Sequence, residues 1–475
     1  MINNAVELPA AFVGDRKIVC VQGLGFVGSA MSVAVAAAKN YDGQPLYSVL
    51  GIDLPNELGL KKVNAINNGV FPFENNDENL QNAMTQAHIN KNLWATVDPK
   101  YFSAADVVIV DINLDVKYDD EGSPRLDLSP FKAAMHTLGK NISAGTLIIV
   151  ETTVPPGTCE KVVYPIIRDE FINRGLTEKD FFIAHSYERV MPGKNYFNSI
   201  VNFWRVYSGI DKISADKCEQ FLKTIISTDE YPLTRLEKTT ATEISKVLEN
   251  SYRAVTIAFM EEWGRFAEEV GVDLFEVINA IRMRPTHSNM RQPGFGVGGY
   301  CLTKDPYFAM LAAKDLFNLS DRDFPFCTMA VKANNAMPLV SLDKIDQLLG
   351  NDLTDKKLLI LGVSYRQDVG DTRYSPTEIF VREALRRGAN VTCQDPLVDH
   401  WSEMNINVQH DIPAFTGYDA IIFTVQHGQY ADIDFQSKAI SEGTLIFDAN
   451  NVLNKKQLDD IKFKSGIRLA SIGRG

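Results

Sequence analysis

Short, nearly unbroken apolar runs alternate with stretches whose apolar residues recur every three to four positions. Ile18–Val21 lies inside Lys17–Val21 and predicts a buried strand. After Gln22–Gly28, the Ala- and Val-rich stretch Ser29–Lys39 predicts a buried helix. Further strands are expected at Tyr47–Ile52, Asp106–Asp111, Thr146–Val150 and Phe181–Ala184, with a helix at Ser129–Lys140. Strands of this kind, separated by helices, build parallel sheets covered on both faces. The rhythm stops near Leu236. Thr240-Ala241-Thr242-Glu243 fits a capping box, and one long helix is expected from there to about Val270. Its apolar residues Ile244, Val247, Leu248, Val255, Ala258, Phe259, Trp263 and Phe266 keep helical spacing. Glu243, Lys246, Asn250 and Arg253 form a polar stripe on that helix. A helix apolar over so much of its girth belongs at the protein centre or a subunit interface, with its polar residues facing a cleft. Val272–Ile281, Pro306–Lys314 and Phe326–Met337 predict further helices. From Lys356 the strand–helix alternation resumes, with strands at Lys357–Gly362, Asn390–Cys393, Ala420–Val425 and Thr444–Asp448 and a helix at Thr377–Arg387. The expected fold is α/β: two doubly wound parallel-sheet domains, residues 1–236 and 341–475, joined by a central long-helix domain, residues 237–340.

The first strand, glycines and helix form a dinucleotide-binding pattern, Gly23-x-Gly25-x-x-Gly28, with Phe26 and Val27 between the last two glycines. In a Rossmann-like unit the first glycine permits the tight turn. The second lets backbone reach the pyrophosphate, and the third lets helix and strand pack closely. Asp53 closes the second strand, where a carboxylate binds both ribose hydroxyls and repels a 2′-phosphate, favouring NAD over NADP. The C-terminal unit has no such glycine pattern and is expected to bind something other than a second dinucleotide. Polar residues also collect at strand ends, as Thr152-Thr153 and as His185–Lys194, which includes Glu188 and Arg189.

Pro293–Pro306 has four glycines in six residues, Gly294, Gly296, Gly298 and Gly299, followed by Cys301, Lys304 and Asp305. Glycines at this density let backbone approach a ligand. A thiol with a cation and a carboxylate three and four residues on can act as a nucleophile. Arg282, Arg284 and Arg291 bring a basic cluster just ahead of it.

Bulk properties narrow the reading. With 475 residues, 45% hydrophobic and 23% charged, the chain has the composition of a globular protein of two to three domains. A net charge of −12 argues against nucleic acid or anionic membrane as a partner and leaves an anionic small ligand open. Six cysteines without CxxC spacing and seven scattered histidines favour reduced thiols in a cytosol and no metal site. Met1–Arg16 reads as no signal peptide, and no apolar run is long enough for a membrane span.

These motifs in this order resemble one family, the UDP-glucose/UDP-N-acetylhexosamine 6-dehydrogenases. The resemblance is carried by Gly23–Gly28, Thr152-Thr153-Val154-Pro155-x-Gly157-Thr158, Tyr187-Glu188-Arg189-x-x-Pro192-Gly193 and Lys246-x-x-Glu249-Asn250-x-x-Arg253. It continues through Gly296-Val297-Gly298-Gly299-x-Cys301-x-x-Lys304-Asp305-Pro306 and Asp368-x-x-Asp371-x-Arg373-x-Ser375-Pro376. The Gly-Val-Gly-Gly-Tyr-Cys form looks closer to the members acting on UDP-N-acetyl sugars. Three departures stand out. Asp111-Ile112-Asn113-Leu114-Asp115 replaces a usual Pro-Thr-Pro. Arg284-Pro285-Thr286-His287 leaves open whether Arg284 or His287 takes the place of an arginine that reaches the sugar. Arg366 stands where a lysine is usual.

The resemblance implies NAD as cofactor and a four-electron oxidation of a sugar C6 alcohol to a carboxylate, serving cell-surface polysaccharide precursors. Cys301 would form a thiohemiacetal and then a thioester. Lys246 and Asn250 would stabilise charge on the C6 oxygen, Asp305 and Glu188 would move protons, and Thr153 would lie near the hydrolytic water. Cofactor contacts are implied for Gly23, Gly25, Phe26, Val27, Gly28, Asp53, Thr153 and Lys304. Substrate contacts are implied for Glu188, Arg189, Lys246, Asn250, Arg253, Arg284, Phe295, Gly298, Arg366 and Arg373, with Lys194 a further candidate for the anionic end. The C-terminal unit would bind the UDP-sugar, and the long helix would form a homodimer. UDP-GlcNAc, UDP-GalNAc, UDP-ManNAc and UDP-glucose all remain open. So do a two-electron NAD hydroxyacid dehydrogenase, which needs no thiol, and a non-catalytic NAD sensor, which gives no NADH.

Overall fold

Lys17–Gln22, whose last four residues are buried, lies inside an eight-stranded sheet. From one edge the order is Leu93–Thr96, Tyr47–Ile52, Lys17–Gln22, Val107–Val110, Leu147–Val150, Phe182–His185, Val206–Gly209 and Thr234–Arg235. The first six strands are parallel, and Val206–Gly209 runs antiparallel to Phe182–His185. The strand order reverses between Lys17–Gln22 and Val107–Val110, and in open α/β sheets ligands bind at the carboxyl ends beside that point. Helices cover both faces, with cores around Val33, Val49 and Tyr196 on one side and Phe131, Ile148 and Phe171 on the other.

A second, five-stranded parallel sheet has the order Asn390–Gln394, Lys357–Leu361, Ala420–Phe423, Leu445–Asp448 and Arg468–Ser471. Its reversal lies between Lys357–Leu361 and Ala420–Phe423. The computed structural model describes Leu8, Phe12 and residues 16–475, so most of Met1–Arg16, read above for a leader, lies outside the described residues. Two compact units emerge, one formed by residues up to Leu248 with Tyr307–Arg322, the other by Glu249–Pro306 with Asp323–Gly475. Among the described residues no helix is long and apolar enough to cross a membrane, and no cluster of ligating side chains could hold a metal ion.

The central helix runs Thr239–Glu269 over 31 residues. Its burial divides the apolar pattern: Val247 and Ala258 are buried and Val255 is half-buried. Ile244, Leu248, Phe259, Trp263 and Phe266 are exposed in the chain, Leu248 by 63%, whereas Glu243, Lys246 and Asn250 are buried. Of the polar stripe only Arg253 is exposed. The capping box does not form, because the helix already includes Thr239 and the Glu243 carboxylate accepts instead from the Gly157 and Cys159 amides.

Two other helices exceed expectation. Tyr300–Asp315 starts six residues before Pro306, so Cys301, Lys304 and Asp305 lie on helix and not in a loop. Pro325–Leu348 continues through Pro338. A proline has no N–H for the carbonyl four residues back, here Asn334. The glycine segment packs against that carbonyl, since a Cβ on Gly296 would stand 3.1 Å from it.

Candidate active site

In the first unit the glycine loop is built as its spacing requires. Gly23 has φ +95°, and a Cβ there would lie 2.3 Å from the Asp111 carbonyl oxygen. A Cβ on Gly28 would lie 1.9 Å from the Gly23 oxygen. Gly25 is different: a Cβ there meets no atom within 4 Å. The first and third glycines therefore serve the turn and the helix contact, and the second faces open space. Gly25 also caps the helix Phe26–Ala37 with no side-chain hydrogen bond, so the positive end of the helix dipole lies beside the open glycine, where an anion is favoured. The Phe26 ring is stacked on Phe73 with centroids 4.0 Å apart.

Asp53 follows the neighbouring strand. Its Oδ2 accepts from the Leu24 amide at 3.1 Å and from Lys62 Nζ at 2.5 Å, and its Oδ1 accepts from the Leu54 amide. Lys62 was not singled out in the sequence. These residues fit a dinucleotide: a helix N-terminus for the pyrophosphate, an open glycine, and a carboxylate at the second strand's end.

Further along the same sheet edge, the threonine pair divides its work. Thr152 Oγ1 donates to the Val110 and Ile112 carbonyls, which ties two strand ends together. Thr153 is half-buried. Glu188 and Lys246 come together, with Lys246 Nζ 3.8 Å from Glu188 Oε1 and 2.8 Å from its backbone oxygen. Lys246 also stands 5.5 Å from the Tyr187 ring centroid. Arg189 is held by Tyr187 Oη at 3.0 Å and the Trp204 carbonyl at 2.8 Å. His185 is buried, and burial pushes it down to about 3, so it is a neutral partner of Thr242 at 2.8 Å.

In the second unit Asn250 Nδ2 donates to Asp305 Oδ2 at 2.7 Å, and Lys304 Nζ donates to Asp305 Oδ1 at 3.0 Å. All three are buried. Cys301, one turn before Asp305 on the same helix, is the only exposed cysteine; Cys327 is intermediate and the other four are buried. Lys246 precedes Asn250 by four residues on the central helix.

The glycines before Cys301 each meet a specific obstacle. A Cβ on Gly298 would sit 2.4 Å from the Tyr374 carbonyl oxygen, and one on Gly299 would sit 2.9 Å from the Tyr365 ring. Asn334 clamps the segment, accepting from the Val297 amide at 2.7 Å and donating to the Val297 oxygen at 2.8 Å. Together with Arg282 and Arg291, residues 293–297 of this segment line a cavity of about 270 Å³. The Phe295 ring is core, 5.5 Å from Phe380 and buried, so only its backbone can contribute to a site. Arg373 is fixed by two hydrogen bonds to Asp371 at 2.9 and 2.7 Å and lies over the Tyr300 ring. Arg253, Arg284, Arg366 and Lys194 are exposed. Asn334 and Tyr365 were missed in the sequence: each lies far along the chain from the glycines and carries no local motif. Burial pushes the Tyr365 hydroxyl up to about 12, with the Asp371 charge adding to the effect and the Arg366 and Arg373 charges opposing it.

Three family models match the chain in succession: the NAD-binding domain of the UDP-glucose/GDP-mannose dehydrogenase family at residues 17–225, its central domain at 240–336 and its UDP-binding domain at 359–455. The chain is 28% identical over 466 residues to a UDP-N-acetyl-D-mannosamine dehydrogenase of Methanocaldococcus jannaschii, covering 97% of this chain and 98% of that protein. Its fold is similar to that of a UDP-D-ManNAc dehydrogenase from Pyrococcus horikoshii, with TM-score 0.78 and 26% identity over 96% of this chain and 99% of the other. It is also similar to an NDP-N-acetyl-D-galactosaminuronic acid dehydrogenase from Methanosarcina mazei, with TM-score 0.77 and 25% identity over 97% and 96% of the two chains.

Proposed function

This chain belongs to the UDP-glucose/GDP-mannose dehydrogenase family, and on that premise we propose that it oxidises the C6 alcohol of a UDP-N-acetylhexosamine to the carboxylate in two NAD-dependent steps. NAD+ accepts one hydride in each step. The first leaves the C6 aldehyde, with the alcohol proton taken by a carboxylate. The Cys301 sulfur adds to the aldehyde carbon to give a thiohemiacetal. Loss of the second hydride gives a thioester, and water displaces the thiol to leave the uronic acid. Lys246 and Asn250 donate to the C6 oxygen while it carries negative charge. Asp305 and Glu188 move the protons, and Thr153 orients the water.

The observation that carries this reading is the group on the helix Tyr300–Asp315: an exposed thiol one turn from a buried carboxylate, which Asn250 and Lys304 both hold. A two-electron dehydrogenase or a NAD sensor has no use for that thiol. UDP and sugar are assigned to the glycine segment Phe295–Gly299, with Arg253, Arg284, Arg366, Arg373 and Lys194 as the candidate cations for the anionic end. The N-acetyl sugar is supported by the relatives' substrates, and UDP-glucose remains a substrate to compare. The threefold division at residues 1–236, 237–340 and 341–475 is retained as a functional one: cofactor, catalytic helices, nucleotide sugar. Six free cysteines support a reducing, cytosolic setting, with the product used for polysaccharide precursors. The exposed apolar stripe of the central helix supports a homodimer.

The test is NADH release against a panel of UDP-sugars with NADH counted per sugar consumed. Two NADH per UDP-N-acetylhexosamine is the expected result. One NADH per sugar, or full turnover in Cys301→Ser, overturns the thioester scheme.

A further inference from the structure

Asp111 occupies the loop that departs from the family pattern, and its surroundings hold more negative charge than positive. Glu151 is paired with the Arg205 guanidinium, each side chain 2% exposed. Arg205 turns its other contacts to the Ser186 carbonyl and to Met31 Sδ. Glu188 lies 3.8 Å from Lys246. The charged groups facing Asp111 are Glu151, Glu188 and Arg205. Among the described residues Asp111, Glu151 and Glu188 thus share two cations, Arg205 and Lys246, and Asp111 forms no ion pair of its own.

Two atoms mark how the imbalance is resolved. Asp111 Oδ2 and Glu151 Oε2 are both sealed from solvent, and neither accepts a hydrogen bond among the described residues. The two side chains adjoin each other. Two ionised carboxylates in contact in a buried site repel strongly, whereas one proton between them satisfies both oxygens and removes the surplus charge. Asp111 also borders the dinucleotide loop. Its carbonyl oxygen lies 2.3 Å from the Cβ position of Gly23, and its own Cβ lies 3.1 Å from that of Gly28.

We infer that Asp111 is a positioning residue that carries a proton donated to Glu151, and that this neutral form is the one that admits the cofactor's anionic pyrophosphate beside Gly23–Gly28. Burial and the Glu151 charge both push the Asp111 carboxyl well above the usual carboxylate range. An ionised Asp111 would set a negative charge against a doubly charged ligand in a site of low dielectric. The sign follows by linkage: NAD affinity is highest while Asp111 is protonated and falls as pH rises through its raised pKa. The inference depends on the NAD assignment and not on the sugar or the thioester scheme.

Two measurements on the whole protein test it. Infrared spectroscopy at pH 7 should show the carbonyl stretch of a protonated, buried carboxyl group that Asp111→Asn removes. Calorimetric titration with NAD+ across pH should show affinity following that band, about tenfold weaker once the band is lost. Asp111→Asn, which keeps a neutral donor toward Glu151, should bind NAD+ like the protonated wild type and lose the pH dependence. No protonated-carboxyl band at pH 7 overturns the inference. So does a band that disappears with no fall in affinity, or an Asp111→Asn variant that keeps the wild-type pH dependence. Failure of NAD to bind at any pH would instead refute the cofactor site.

Discussion

Glu243 accepts hydrogen bonds from the Gly157 amide at 2.5 Å and the Cys159 amide at 2.8 Å, and so anchors the turn that leads from Thr152-Thr153 into the following helix. Burial pushes its carboxyl up to about 7 despite those two donors. The folded state therefore holds this proton more tightly than the unfolded chain does. Its contribution to stability falls as pH rises from the ordinary carboxylate value toward 7. Glu243→Gln should remove that slope and should also turn an amide N–H₂ toward one backbone donor, at a cost of about 1–3 kcal/mol. Thermal denaturation of both proteins at pH 5 and pH 7 checks this: the variant should melt lower at both, with the smaller gap at pH 7. Equal slopes would mean that another group sets the wild-type dependence. At this scale the sequence marked Cys301, Lys246, Asn250 and Asp305 because their types and spacing are chemical. It could not mark Asn334 or Tyr365. Those two act through a clamp and a wall that exist only once the chain has folded back on the glycines.

The central helix makes the same point for an element. Its 3.6-residue periodicity is plain in the sequence, and helix Thr239–Glu269 forms. Which stripe faces inward was not settled by hydropathy. Glu243, Lys246 and Asn250 are buried because each finds partners: two amides, the Glu188 carbonyl, and Asp305. The stripe of Ile244, Leu248, Tyr252, Phe259, Trp263 and Phe266 stays exposed. A contiguous apolar stripe of this length calls for a cover, and a second copy of the helix offers the same surface in return. If the dimer forms here, the double variant Phe259→Glu and Trp263→Glu should turn it into a monomer in light scattering. A dimer that survives both charges would place the interface elsewhere. The helix Tyr300–Asp315 begins before the start that Pro306 suggests; a proline is favoured in a helix's first turn, and here it lies one turn further in.

For the whole molecule, the two glycine-rich loops belong to different units, and each has a position that backbone forbids to any side chain. A Cβ on Gly28 would collide with the Gly23 oxygen, and one on Gly298 with the Tyr374 oxygen. Gly28→Ala should therefore weaken NAD+ binding at least about tenfold while UDP binding stays within about twofold, and Gly298→Ala should do the reverse. Calorimetry with each ligand, on variants whose circular dichroism matches the wild type, decides this. Loss of both ligands in either variant would refute two separable sites.

The sequence by itself determined the parallel strands at the centre of both sheets, the long helix and the glycine loops. Apolar runs, helical periodicity and glycine spacing are local properties, and they follow from backbone geometry and the cost of burying polar groups. The short strands Leu93–Thr96, Val206–Gly209, Thr234–Arg235 and Arg468–Ser471 at or near the sheet edges escaped it because polar and small residues interrupt them, so they show neither an unbroken apolar run nor a period. Only the tertiary structure decided which polar residues are buried, and so which are paired. It set Glu151 against Arg205, Glu188 against Lys246, and gave Asp111 no ion pair of its own among the described residues. Charge balance in a buried site depends on residues far apart in the chain, and a proton's place there is settled by what surrounds it in space.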